Sequence, residues 1–281
     1  MGLIFVPTPL GNLRDVTLRA CDVLRDCDLL VAEDTRVATR LLAALDMPKK
    51  TIWSYREQNA AAVTGAILAC AREQTVAVTT DAGMPGISDP GRELIAAARA
   101  AGVAVEVLPG ACAFVCAAVL SGFPSTGLSF EGFVPRANGE RERVFRAALA
   151  RGTTAAWYES PRRILATLSV LERIAPEASV FVARELTKRH EQQLLGRPAA
   201  VAAALGAEPR GEIVLVLDGT SALAPAEPAA EEAVDDAIRR AFAAGASVPD
   251  AARTLSRQGL GSRAALYARA SALRDEAKVR P

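Results

Sequence analysis

The sequence predicts an α/β protein with two α/β domains and a small helical extension at its C-terminal end. Over the first hundred residues, short apolar runs alternate with longer segments of helical spacing, which is typical of βαβ units and a parallel sheet. A second alternation of this kind follows segment 110–124, and only helical patterns remain after the small, polar, proline-containing stretch 219–228. Two such α/β domains usually bind a ligand in the crevice between them.

The first domain is predicted to span residues 1–120, with buried apolar runs as strands and periodic apolar positions marking the helices. The predicted strands are Leu3–Val6, Leu29–Ala32, Thr75–Thr79 and Val103–Val107. The predicted helices are Val16–Leu24, Val37–Leu45, Ala60–Glu73 and Arg92–Ala101. Connections rich in Gly, Pro and Asp separate these elements, as expected for an open sheet covered by helices.

The second domain is predicted to span residues 121–220. Its strands are predicted at Thr154–Tyr158, Val180–Ala183, Glu191–Leu195 and Glu212–Leu217, and its helices at Arg141–Ala150 and Arg162–Ile174. The third unit, 229–281, is predicted to contain helices Ala229–Ala243, Val248–Gln258 and Arg263–Asp275, the last two capped by Ser247 and Ser262. The last two helices and the turn between them match a helix-turn-helix pattern, which fits either a cap packed on the α/β body or a nucleic-acid contact.

The composition excludes several classes of protein. Of the 281 residues, 51% are hydrophobic and 23% charged, which is typical of a globular protein and unlike disordered or collagenous chains. The five cysteines lack CxxC spacing, and the single histidine, His190, leaves almost no material for a zinc site or a Ser-His-Asp triad, so no metal is expected. Without a basic-then-apolar leader or an apolar run of membrane-spanning length, a cytoplasmic protein is expected.

Candidate chemistry lies at the carboxyl ends of the first four strands, where open α/β sheets bind ligands. The loop at 80–91 is the most informative, because its glycines and prolines fix the backbone while two carboxylates project from it. We expect Asp81 to face a ligand and Asp89 to cap the following helix. The segment Glu33-Asp34-Thr35-Arg36 at another strand end fits a solvated turn, in which Asp34 or Thr35 caps the next helix.

Positive charge is concentrated in the middle of the chain, although the formal net charge of the whole is only +1. Segment 136–163 contains seven arginines against three glutamates. Because this segment borders the predicted crevice, its guanidinium groups could neutralise phosphates. An ordinary solvated helix face is the competing interpretation for the arginines of 141–146.

Eight collinear motifs indicate a known family. They are VPTPLGNLRDVTLRA, LLVAEDTRVATRLL, TTDAGMPGISDPGREL, LPGACA, FEGFVPR, YESPRRI, VARELTK and GEIVLVLDG, in order over most of Leu3–Gly219. In these motifs the chain resembles the small-subunit ribosomal RNA methyltransferases of the tetrapyrrole methylase fold, the class III methyltransferases. The resemblance implies transfer of a methyl group from S-adenosyl-L-methionine to the ribose 2'-hydroxyl of a decoding-centre cytidine in 16S ribosomal RNA. It also implies a cofactor cleft between two α/β domains, a homodimer, and a substrate within the small ribosomal subunit.

The resemblance further assigns positions to the cofactor site, with much of the contact expected through backbone groups. The cofactor-binding positions that it implies are Pro9, Leu10, Asp81, Met84, Cys112, Ala113, Tyr158, Ala183, Glu212 and Ile213. Two of them depart from the family pattern: Met84 stands where a smaller polar residue is expected, and Cys112 replaces more usual residues. A methionine can still line an adenine pocket.

The implied reaction needs a group that removes a proton from a weakly acidic ribose hydroxyl. Asp34, Glu159 and Lys188 are the candidates, and Arg36, Arg162 and Arg163 are the candidate RNA phosphate contacts. Two alternatives remain open: a porphyrinoid methylase of the same fold, which would need no groove for a polyanion, and a non-catalytic RNA-binding or assembly module that works through its C-terminal helices.

Overall fold

The computed structural model describes residues 1–221, 231–257, 260 and 262–279. The chain divides into two units, Met1–Ala222 and Leu223–Pro281. Both sheets lie within the first unit, and the second unit is the helical extension. Among the described helices, none has both the length and the apolar character needed to cross a lipid bilayer.

The first sheet is entirely parallel. Its strands are β1 (Gly2–Phe5), β2 (Leu29–Ala32), β3 (Ile52–Ser54), β4 (Thr75–Thr79) and β5 (Val105–Val107), in the order β3-β2-β4-β1-β5. Apart from the threonines at the two ends of β4, the inner strands are apolar, because side chains on both faces are buried. Leu3, Phe5 and Val31 pack in one core, whereas Leu30 and Ala77 pack in another on the opposite face.

Four helices cover this sheet: α1 (Leu18–Asp26), α2 (Thr35–Ala44), α3 (Ala60–Glu73) and α4 (Arg92–Ala100). The side chain of Thr17 accepts a hydrogen bond from the Ala20 N–H and caps α1. This cap explains why α1 begins at Leu18 rather than at Val16, since the capping residue has extended backbone geometry. Asp34 caps α2, because its side chain accepts a hydrogen bond from the Arg36 N–H. Of the two predicted capping residues, Asp34 and Thr35, the structure therefore has Asp34.

The second sheet is mixed. Its elements are α5 (Ala113–Ser121), β6 (Ser129–Phe133), α6 (Asn138–Arg151), β7 (Ala155–Glu159), α7 (Ile164–Ile174), β8 (Val180–Arg184), β9 (Gln192–Gly196), α8 (Pro198–Leu205) and β10 (Ile213–Leu217). The strand order is β6-β7-β10-β8-β9, and only β6 and β7 run parallel. Its larger core contains Phe145 and Trp157, whose rings meet edge to face 5.1 Å apart.

The C-terminal unit contains α9 (Glu231–Ala243), α10 (Val248–Arg257) and α11 (Arg263–Val279). Ser247 accepts a hydrogen bond from the Asp250 N–H at 3.3 Å, and Ser262 accepts one from the Ala265 N–H at 3.2 Å, so both predicted caps are present. The unit has its own small apolar core, which includes Ile238. Of the predicted turn between α10 and α11, Gln258, Gly259 and Gly261 lie outside the described residues, as does most of the predicted linker 219–228.

Four elements were absent from the sequence-based prediction: β3, α5, β6 and α8. Strand β3 has only three residues, and α5 lies in segment 110–124, for which no helix or strand is predicted. Helix α5 is apolar on all sides and therefore lacks the periodicity that reveals an amphipathic helix. Strand β6 contains a glycine and an irregular register, which weaken a strand pattern.

Candidate active site

A pocket lies where the loops at the carboxyl ends of the first sheet meet the second sheet. Its volume is 430 Å³, within the usual range for small-molecule sites. Loops that follow β1, β2 and β4 line one side, and residues of β7, β8 and β10 line the other. This places a ligand-sized cavity at the sheet edge that the sequence predicted.

Backbone contacts hold these loops together. Thr8 and Gly83 exchange two backbone hydrogen bonds of 3.0 Å, which joins the loop after β1 to the loop after β4. Gly83 has a φ of 80°, which favours glycine, and a Cβ at this position would come within 3.0 Å of Leu10. The Asp34 N–H also donates to Asp81 at 3.1 Å. The pocket wall is therefore built from segments far apart in the sequence.

Nine of the ten predicted cofactor positions line this pocket. They are Leu10, Asp81, Met84, Cys112, Ala113, Tyr158, Ala183, Glu212 and Ile213. Pro9, the tenth, is not among the lining residues. The structure thus brings together positions from both predicted domains, which is what a shared cleft requires.

A buried hydroxyl between two carboxylates forms one side of the pocket. The Thr80 Oγ1 lies 2.6 Å from Asp89 Oδ2 and 3.0 Å from Glu33 Oε2. A hydroxyl has one hydrogen to donate, so the second contact becomes a hydrogen bond only when one carboxyl group is protonated. The geometry therefore favours one added proton on the two carboxyl groups, beside the hydrogen of the Thr80 hydroxyl.

The environment of this group favours protonation. Burial raises the pKa of Glu33, and the nearby Asp89 and Asp81 carboxylates raise it further, although the Thr80 hydrogen bond opposes them. Burial likewise raises the pKa of Asp89, with added repulsion from Asp81 and Glu212. Both shifts bring the pKa values of the carboxyl groups closer to neutral pH, where a general base works best.

The prediction that Asp89 caps a helix is wrong. Helix α4 begins after Gly91, and the Asp89 carboxylate accepts a hydrogen bond from Thr80 instead. Glu33 was considered only as part of a solvated turn, but its side chain lines the pocket and contacts Thr80. Glu33 directly follows a predicted strand and Asp89 lies in the predicted ligand loop 80–91, so position alone could have indicated both, but the bridging Thr80 hydroxyl had no sequence signal.

Each of the three predicted proton acceptors already has partners. Asp34 binds Arg36 through two hydrogen bonds of 3.0 and 2.5 Å, and the bonds from the Arg36 side chain and backbone lower the pKa of this carboxyl. Burial alone would lower the pKa of Lys188, but hydrogen bonds to Glu185 and Glu212 outweigh it and raise that pKa. Asp34 is thus a weak base, and Lys188 is held as a cation.

Glu159 is the third predicted acceptor, and its side chain is fully buried. Its carboxylate accepts hydrogen bonds of 2.6 Å from Thr167 Oγ1 and from the Ser160 N–H, and it pairs with Arg163 at 2.5 Å. A carboxylate satisfied in this way stabilises the loop after β7. It is not free to bind a substrate hydroxyl.

The predicted RNA contacts differ in their surroundings. Arg36 is exposed beside a shallow surface depression lined also by Arg40, and it pairs with Asp34. Arg163 is turned inward, because it donates to the Val134 carbonyl at 3.0 Å and pairs with Glu159. Arg162 is exposed. Of the three, Arg162 alone has no ion-pair partner within the described part of the chain.

Comparison with known proteins places this architecture in a recognised class. Diphthine synthase aligns with 76% of this chain and 88% of its own, with a TM-score of 0.62 and 13% identity. A uroporphyrin-III C-methyltransferase from Thermus thermophilus, solved with S-adenosylhomocysteine, aligns with 78% of this chain and 98% of its own, with a TM-score of 0.54 and 18% identity. These likenesses show the tetrapyrrole methylase fold, and the model of the Tetrapyrrole (Corrin/Porphyrin) Methylases matches residues 2–201.

Relatives with higher sequence identity define the family of this protein more narrowly than the fold does. A protein of Thermotoga maritima is 40% identical over 219 residues, which cover 77% of this chain and 98% of the relative. A protein of Synechocystis is 39% identical over 272 residues, which cover 95% of this chain and 96% of the relative. Both are named ribosomal RNA small subunit methyltransferase I, and the chain belongs to that family of methyltransferases.

Proposed function

We propose that this protein methylates the ribose 2'-hydroxyl of a decoding-centre cytidine in 16S ribosomal RNA, with S-adenosyl-L-methionine as the methyl donor. The observation that supports this most strongly is the 430 Å³ pocket, in which nine family-implied cofactor positions meet a carboxylate pair. Membership of a methyltransferase family whose relatives are named for the ribosomal small subunit supports the substrate class.

The pocket residues fit this cofactor chemically. Leu10, Met84 and Ile213 offer an apolar wall suited to an adenine ring, and the carboxylate of Asp81 suits hydroxyl or cationic groups. When bound there, S-adenosylmethionine supplies the methyl group, which passes from its sulfonium sulfur to the ribose oxygen as that oxygen loses its proton. The chain's contribution to rate is then alignment of the hydroxyl and acceptance of its proton.

Glu33, Thr80 and Asp89 form the proposed proton acceptor. They lie in the pocket, and burial and mutual repulsion raise the pKa values of both carboxyls. A proton received by one carboxylate is held against the Thr80 oxygen, which lies within 3.0 Å of both. This assignment replaces Asp34, Glu159 and Lys188, whose polar atoms are engaged elsewhere.

The remaining proposed partners are the RNA phosphates, a second copy of the chain and the small ribosomal subunit. Arg36 and Arg162 are the exposed candidates for phosphate contacts, and Arg163 is proposed as a structural partner of Glu159. A homodimer is proposed through the exposed face of α5, where Val115, Val119 and Leu120 are 44%, 76% and 43% exposed. A substrate in the small ribosomal subunit would place the protein in the cytoplasm.

Transfer of a tritiated methyl group to small ribosomal subunits that lack the modification tests this function. We expect label in 16S ribosomal RNA, at one cytidine, as an alkali-resistant 2'-O-methyl nucleotide. Label on a base, or in a porphyrinoid offered in parallel, would refute the assignment.

A further inference from the structure

Phe133 is an aromatic side chain exposed at the pocket. It is the last residue of β6, it lines the pocket, and 60% of its surface is open to solvent. Its neighbour across the sheet is Tyr158, whose ring meets it edge to face with centroids 5.7 Å apart. This contact orients the Phe133 ring and still leaves most of its surface uncovered.

A local irregularity in β6 places this ring. In a regular strand, residues three apart point to opposite faces of the sheet. Here Phe130 and Phe133 both contact the ring of Tyr158, because the register shifts between them and Gly132 has a φ of 75°. Bulges of this kind redirect side chains next to functional sites.

Two unpaired guanidinium groups lie near the same sheet edge. Strands β6 and β7 are parallel, so they end at one edge, and Arg136 and Arg162 each follow one of these strands by three residues. Both arginines are exposed, and within the described part of the chain neither has an ion-pair partner. By contrast, Arg143, Arg146 and Arg151 of the same basic segment pair with glutamates.

We propose that Phe133 stacks on an unstacked base of the RNA substrate, while Arg136 and Arg162 bind phosphates on either side of that nucleotide. The proposal rests on the proposed function and specifies how its substrate is held. A ribose that reaches into a pocket of 430 Å³ has to leave the helical stack, and enzymes that modify nucleotides commonly hold the extruded base against an aromatic ring. Every base has a π face, so such a platform needs no particular sequence.

Binding of a short unstructured oligoribonucleotide that contains cytidines, compared with the same strand annealed to its complement, tests the stacking. Phe133→Ala is expected to weaken single-strand binding on the order of ten-fold, with little change for the duplex. Phe133→Trp is expected to retain wild-type affinity. Arg136→Gln and Arg162→Gln are each expected to reduce the salt dependence by about one phosphate contact.

Two controls separate stacking from other roles of Phe133. Leu195→Ala removes an equally exposed apolar side chain, 63% exposed, from β9 at the opposite edge of the sheet, and it should leave RNA binding unchanged. Calorimetric titration of Phe133→Ala with S-adenosylmethionine measures any loss of cofactor binding at this pocket-lining position, and the RNA affinities are compared without cofactor, where stacking alone predicts the loss.

Three results would overturn the proposal. If the wild type binds the single strand and Phe133→Ala binds it equally well, the stacking contact is refuted and the RNA substrate is not. Sedimentation of Phe133→Ala as a smaller species than the wild type would assign the ring to an interface between copies. A wild type that binds neither RNA would refute a sequence-tolerant platform for single strands, and a failure to label small ribosomal subunits as well would extend that refutation to the RNA substrate.

Discussion

Glu33→Gln should make the folded protein more stable at neutral pH. Glu33 Oε2 and Asp89 Oδ2 both contact the Thr80 hydroxyl, so the two oxygens lie no more than about 5.6 Å apart. Two full negative charges at that separation repel by about 3 kcal/mol at an effective dielectric constant of about 20. Solvent reaches both carboxyls and screens this repulsion, so about 1–2 kcal/mol is the expected gain when Glu33 loses its charge.

The gain should depend on pH in a defined direction. Both carboxyls have folded-state pKa values above their usual ones, so the folded protein binds these protons more tightly than the unfolded chain does. Their contribution to stability is full below the unfolded pKa of about 4 and is lost as pH rises through the raised folded pKa. The variant should therefore match the wild type near pH 4 and exceed it near pH 7.

Thermal or urea unfolding followed by circular dichroism at these two pH values measures the difference. A gain of about 1 kcal/mol corresponds to a rise of a few degrees in Tm for a chain of this size. Glu57→Gln makes the same chemical change at an exposed glutamate and should leave Tm nearly unchanged at both pH values. A Glu33→Gln variant that is less stable than the wild type at pH 7, or equally shifted at both pH values, would refute the proposed carboxylate pair.

Three further substitutions test the remaining roles in the site. Asp89→Asn should reduce turnover by about 100-fold or more, because the amide cannot accept the proton, while calorimetry shows a much smaller change in cofactor affinity, because asparagine preserves the shape of this pocket-lining side chain. Lys188→Met should weaken cofactor binding without moving the acid limb of the pH–rate profile, because Lys188 positions Glu212 and does not accept the proton. Arg163→Gln should lower the free energy of unfolding by about 3 kcal/mol or more in urea titrations, since it leaves the buried Glu159 carboxylate without its cation; an RNA-binding defect with unchanged stability would instead restore Arg163 as a phosphate contact.

The parallel half of the fold was predictable because its strands are continuous apolar runs followed by glycine-rich loops. Strands β2 and β4 have the predicted bounds, and helix α3 does as well. The elements that were not predicted from the sequence lack a distinctive apolar pattern: α5 is apolar on every side, and β3 has only three residues. Elements of this kind are set by tertiary packing, which a periodic pattern does not report.

The pocket was more predictable than its chemistry. Motif resemblance and the strand-end rule together indicated nine of its lining positions. The proposed proton acceptor differs from the candidates predicted from sequence because the hydrogen-bond and ion-pair partners decide which carboxylate is free. Asp34 is occupied by Arg36, whereas Asp89 lies against a hydroxyl contributed by a residue nine positions earlier. Such hydrogen-bond pairings depend on loop conformation and cannot be predicted from the spacing of residues in the sequence.

Calorimetric titration of the protein with S-adenosylmethionine measures whether this pocket binds the cofactor, on which every role proposed for the site depends. The wild type should bind one molecule per chain. Met84→Trp, which fills the pocket from its lining loop, should abolish the heat of binding, and Met84→Leu, which preserves side-chain volume, should retain it. Absence of binding by the wild type, or undiminished binding by Met84→Trp, would show that this pocket is not the cofactor site.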